Sequence, residues 1–112
     1  MLTKTIRAMR KVPKFTFVER VSSGLAGFRP AAHTFVQSGR AFMRRELYAA
    51  GGATDVRLLP SVSGGRTLTF FLPGSSIWFE LELDRMGRIR TERIVSPGHL
   101  ILRAFRYPTP GR

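Results

Sequence analysis

The chain has no cysteine, two histidines, one tryptophan and only seven acidic residues among its 112. Without cysteine there is no disulfide scaffold, no thiol nucleophile and no Cys-containing zinc site. His33 and His99 alone would leave a metalloenzyme with an unusual ligand set. No phosphate-binding Walker sequence, dinucleotide G-x-G-x-x-G or nucleophile-elbow G-x-S-x-G occurs. Long apolar runs are also missing. The richest, Leu68 to Leu72, falls far short of the ~20 residues that span a bilayer, and the N-terminus lacks the apolar h-region of a secretory signal. What is present excludes wholesale disorder, because 43% hydrophobic and 11% aromatic residues supply apolar surface to offset ordering entropy. A chain of this length buries roughly two thirds of its unfolded surface, enough for one small domain.

The scarcity of acid has a direction. Nineteen Lys and Arg against seven Asp and Glu give a formal charge of +12. Residues 1–45 hold ten of the basic residues and a single acid, Glu19, for +9; residues 46–112 hold nine basic and six acidic, for +3. Such a balance implies a polyanionic partner: nucleic acid, an anionic membrane surface or an acidic protein. Arginine outnumbers lysine 16 to 3, and arginine suits bidentate phosphate contacts and stacking on bases. Codon bias in a GC-rich genome produces the same excess, so the type of cation is less telling than its position.

Residues 1–29 read as a basic N-terminal arm. Leu2, Ile6, Met9 and Val12 recur at near-helical spacing among Lys4, Arg7, Arg10 and Lys11, and Pro13 ends the pattern. An acid-free amphipathic helix at the N-terminus matches an uncleaved organellar presequence, although the serine enrichment of such segments is missing; an ordinary basic surface helix has the same pattern. Lys14 to Val21 alternates as a strand, and residues 22–30 supply loop chemistry. Within that loop, Gly24-Leu25-Ala26-Gly27 with Arg29 is the nearest approach to a phosphate loop. The strands around it do not fit the KH-type RNA module that a G-x-x-G turn otherwise marks, so it reads as a plain loop.

Residues 30–107 read as an α+β body. A helix is expected from Pro30, with Phe35, Phe42, Met43 and Leu47 along one side and Gly51-Gly52 as its stop. Gly39 in its middle signals either a weak point or something packed closely against it. Five strands should follow, over 55–62, 66–72, 77–83, 88–95 and 99–107, joined by Gly- and Pro-bearing turns into an antiparallel meander. In the third, Ile77, Phe79, Leu81 and Leu83 face one way and Trp78, Glu80 and Glu82 the other. The fold class expected is one main helix on about five strands, with a basic N-terminal extension and an extended, proline-bearing tail at 108–112.

Candidate chemistry is thin. Glu80 and Glu82 share a solvated face, with Arg88, Arg90 or Arg93 placed to pair with them across strands. His33 and His99 have no evident acid partner. Trp78, Phe105 and Tyr107, with Arg103 and Arg106 beside them, offer stacking for single-stranded bases, although packing explains Trp78 better. The expected function is a non-enzymatic structural subunit of a large assembly, first an RNA-binding protein of a mitochondrial ribosome, without cofactor or metal. The RNA or other anion would be held by Lys4, Arg7, Arg10, Lys11, Lys14, Arg29, Arg40, Arg44 and Arg45. The alternative is a peripheral accessory subunit of a mitochondrial inner-membrane respiratory or ATP synthase complex, its basic arm on anionic lipid or an acidic subunit. Either way the partners include other protein subunits, and no transmembrane segment is expected.

Overall fold

The computed structural model describes residues 1–23, 31–61, 65–72 and 76–108. A nine-residue helix, α1 (Leu2–Arg10), leads into β1 (Phe15–Ser23) and β2 (Ala31–Gln37). A second helix, α2 (Gly39–Arg45), and a 3-10 turn (Leu47–Ala50) precede β3 (Thr54–Pro60), β4 (Arg66–Phe71), β5 (Trp78–Leu83), β6 (Ile89–Ser96) and β7 (His99–Arg106). All seven strands join one antiparallel sheet in the order β2-β1-β7-β6-β5-β4-β3. The last strand returns to pair with the first, so β1 lies inside the sheet and β2 and β3 form its edges.

This corrects the expected architecture of one main helix on five strands. The segment expected to be helical from residue 30 to 50 divides into a strand, two turns of α-helix and a turn of 3-10 helix. Thr34, Phe35 and Val36 take the extended backbone that β-branched and aromatic side chains favour, and Phe35 stacks on Phe17 of the neighbouring strand at 5.0 Å. The helix starts at Ser38, whose Oγ accepts the Ala41 N–H at 3.2 Å as an N-cap. Leu47, assigned to the apolar side of a long helix, is 62% exposed.

The basic N-terminal extension is likewise corrected, since its residues supply part of the core. A helix as short as α1 is marginal by itself, and it is held by burying Thr5, Ile6 and Met9 against the sheet. Phe15 and Phe17 of β1 are buried and meet Phe42 and Phe105 with ring centroids 5.3 to 5.6 Å apart. A second aromatic group, Tyr48, Phe70 and Phe79, packs at 5.0 to 5.2 Å beneath the 3-10 turn. Gly39 explains itself at the crossing of the two helices. Its N–H donates to the Val12 carbonyl at 2.9 Å, and a Cβ there would lie 1.7 Å from the Met9 carbonyl oxygen.

The alternation read in β5 is present: Phe79, Leu81 and Leu83 are buried, while Trp78, Glu80 and Glu82 lie on the opposite face. The turn of Asp84 to Gly87 is organised by one carboxylate. Asp84 Oδ1 accepts the N–H groups of Met86 and Arg88, each at 2.9 Å, and Gly87 takes a positive φ of 81°. The loop of Gly24 to Gly27 with Arg29, residues 63–64 and 73–75 of the expected turns, and tail residues 109–112 lie outside the described residues.

Candidate polyanion interface and the Arg103 cluster

Both helices cover the same face of the sheet, so the polar side of each is turned outward. Lys4, Arg7, Arg10, Lys11 and Lys14 from α1 and the loop after it, and Arg40, Arg44 and Arg45 from α2, are all exposed. None of the eight forms an ion pair with a described residue. Lys4, Arg7 and Lys11 fall at i, i+3 and i+7 and share one stripe of α1; Arg10 lies round the helix beside a second cleft of about 580 Å³ that reaches Tyr48. Arg44 and Arg45 sit in the last turn of α2, where they also complement the helix dipole.

The carboxylates are elsewhere, and three of the seven converge on one guanidinium. Glu19, Arg103 and Glu92 are direct cross-strand partners on β1, β7 and β6. Arg103 Nε donates to Glu19 Oε1 at 2.8 Å, and Nη1 donates to both Glu92 Oε1 at 2.8 Å and Glu46 Oε1 at 2.6 Å. Glu46 arrives from the residue that closes α2. The Tyr48 hydroxyl donates to Glu92 Oε2 at 3.2 Å, and the guanidinium carbon lies 5.6 and 5.7 Å from the ring centroids of Phe17 and Phe42.

Three carboxylates against one cation in a buried place favour proton uptake. Burial first, and the neighbouring Glu92 charge second, push the Glu46 carboxyl up to about 8. Burial raises Glu92 as well, against the opposing pull of Arg103. Desolvation and the same carboxylates push the Tyr48 hydroxyl far above its usual range, so it acts only as a donor here. Every carboxylate is engaged by the guanidinium, and Glu92 is fully buried. Chemically, the cluster ties the end of α2 to the centre of the sheet, and a cleft of about 700 Å³ has Glu92 and Arg103 among its lining residues. Among the described residues, no group of three or more His, Asp or Glu is arranged to hold a metal ion, and Arg103 occupies the centre where a cation would stand.

The remaining acids stay local. Asp84 binds Arg88 at 2.8 Å and Asp55 binds Arg57 at 3.1 Å, while Glu80 faces Arg93 across the open side of the sheet, with Arg88 and Arg90 not opposite it. His33 stands opposite Glu19 in the register, but that carboxylate is taken by Arg103. His99 approaches only the Pro97 carbonyl, at 3.4 Å. Of the aromatics considered for stacking, Phe105 is buried and Tyr107 is half-buried under Arg88, with its hydroxyl donating to the Ile89 carbonyl. Trp78 and Arg106 remain on the open face, two strands apart.

The chain matches no protein-family model, and a search of curated proteins finds none similar to it. Its chemistry is therefore read from the site alone. Among the described residues no helix is long and apolar enough to cross a membrane.

The Arg103 cluster was missed in the sequence, although a signal was there. Strand parity puts Glu19 on the face of Phe15 and Phe17, and Arg103 on that of Phe105. A charged residue at an inward position of an otherwise apolar face marks a buried ion pair.

Proposed function

We propose that the protein is a non-enzymatic RNA-binding subunit of a larger particle, in which the helical layer neutralises backbone phosphates. One observation carries this: the fold segregates its charge. Five of seven carboxylates are paired to Arg103, Arg88 or Arg57, so that eight exposed cations without an ion pair among the described residues gather on and beside α1 and α2, while six more exposed arginines, Arg20, Arg66, Arg85, Arg90, Arg93 and Arg106, are spread over the strands and turns. Such a surface binds by releasing counterions from the nucleic acid, without reading sequence. Arg29 belongs to the same charge run in sequence. The acid-free N-terminal helix supports a mitochondrial setting, with the organellar ribosome as the particle.

The test is a salt titration of the full chain on single-stranded RNA. Replacing Lys4, Arg7 and Lys11 by glutamine should lower the slope of log affinity against log salt by about 2, at ~0.7 per phosphate contact. An unchanged slope, or binding indifferent to salt, would overturn the proposal. So would co-purification with detergent-solubilised membrane complexes that survives ribonuclease, which would favour an anionic lipid surface or an acidic subunit instead.

A further inference from the structure

The groove between α1 and the β5–β6 turn differs from the rest of the cationic layer in what lies beneath the charges. It measures about 720 Å³, within the ~300–1,000 Å³ common for small-molecule sites. Its floor is apolar. Ala8, Val12 and Pro13 form one wall, and Met86 and the ring of Tyr107 form the other. Tyr107 turns its polar end away, since its hydroxyl donates to the Ile89 carbonyl and contacts Met9 Sδ. Lys4, Arg7, Lys11 and Lys14 stand along the rim, and no acid among the described residues lines the groove.

Two further features mark it as more than a crease. Met86 is 68% exposed at the apex of a turn that Asp84 holds in place through both the Met86 and Arg88 N–H groups. A large apolar side chain is thus fixed at the mouth without contributing to the core. Arg88 is neutralised by Asp84 and lies over the Tyr107 ring at 4.3 Å, so it packs the wall, while the four rim cations form no ion pair with a described residue. Phosphate contacts of the kind made by RNA require no apolar floor. An apolar trough bounded by four cations is complementary to a molecule with a hydrocarbon body and an anionic head.

We propose that this groove binds an anionic amphiphile, a single acyl or alkyl chain lying on Ala8, Val12, Pro13, Met86 and Tyr107 with its carboxylate or phosphate head held by Lys4, Arg7, Lys11 and Lys14. The ligand comes either as a free molecule or as a lipid within an anionic membrane, and the first source is the one proposed. The inference does not rest on RNA binding.

The test is calorimetric titration of the full chain with dodecanoate and with dodecyl phosphate, below their critical micelle concentrations. Each should bind one to one, with inorganic phosphate and neutral dodecyl maltoside at least about tenfold weaker. Affinity should rise by up to ~4-fold for each added methylene that reaches the floor. Lys11→Gln with Lys14→Gln should weaken dodecyl phosphate about tenfold. Met86→Ala should weaken it severalfold while leaving RNA affinity untouched, because no charge changes. Equal affinity for inorganic phosphate, equal affinity for the neutral amphiphile, an inert Met86→Ala, or binding only to phosphatidylglycerol vesicles and never to monomers would each overturn the proposal.

Discussion

Arg103→Met removes the one cation that three carboxylates share while keeping a side chain of similar length over Phe17 and Phe42. Breaking a buried ion pair by deleting one partner costs about 3–5 kcal/mol, since the remaining charge is left unpaired in a poor solvent. A domain of this size has about 5–15 kcal/mol in total, so the variant should stay folded with Tm lowered by roughly 12–20 °C, at about 4 °C per kcal/mol. The dependence on pH separates this cause from simple loss of packing. Burial and Glu92 raise Glu46 from 4.5 to about 8 in the native state. The folded protein therefore holds a proton that the unfolded chain releases above 4.5. This carboxyl's contribution to stability is complete below about pH 4.5 and is lost as pH rises through about 8. Removing the guanidinium takes away the influence that opposes this rise, so Arg103→Met should suffer less near pH 5 than near pH 8 in urea unfolding. A loss below about 1 kcal/mol, or one larger in acid than at neutral pH, would refute the assignment.

Other substitutions probe the same framework. Glu46→Gln mimics the protonated carboxyl and its amide oxygen still accepts from Arg103; relative to wild type it should gain about 4 kcal/mol between pH 5 and pH 9, since each pH unit of displacement is worth ~1.4 kcal/mol. A pH-independent difference would show that Glu46 is ionised throughout. Gly39→Ala, which would gain up to ~1 kcal/mol in an open helix, should instead cost about 1–3 kcal/mol or more through overpacking against the Met9 carbonyl, and its sign in chemical denaturation decides the matter. Ser38→Ala should cost about 1 kcal/mol as the loss of an N-cap. Met43→Ala should cost about 2–5 kcal/mol, whereas Leu47→Lys should change stability by no more than about 0.5 kcal/mol, an ordering that a single long helix over 30–50 would not produce.

Local strand character was legible because it depends on parity and punctuation. Residues 14–21 and the five later segments alternate between turn residues, and each contains a strand. What failed was the assignment of residues 30–50 to one helix, where Phe35, Phe42, Met43 and Leu47 fit a helical period by coincidence. Ser38 followed by Gly39 was the contrary signal, an N-cap and a residue without a Cβ at the point where two helices touch. The position of β1 was illegible for another reason. Whether a strand lies inside a sheet depends on its pairing with β7, more than 80 residues away in the chain for Glu19 and Arg103, and no local pattern encodes that closure.

The same closure reorganises the charge. In sequence, residues 1–29 of the +9 stretch read as a basic N-terminal arm; in the fold, that arm is anchored by Ile6, Met9, Phe15 and Phe17, and its cations from Lys4 to Lys14 are displayed on a fixed surface. Anchoring matters to binding, because a rigid array loses less conformational entropy on meeting phosphates than a disordered tail does. The acids follow the opposite course. Glu19, the only acid among the first 45 residues, is drawn to Arg103 at 2.8 Å by the cross-strand register and so leaves the cationic face uninterrupted. One arginine near the C-terminus thus serves two ends. It closes the sheet through β1 and β6, and it removes the single negative charge that would otherwise accompany the basic segment.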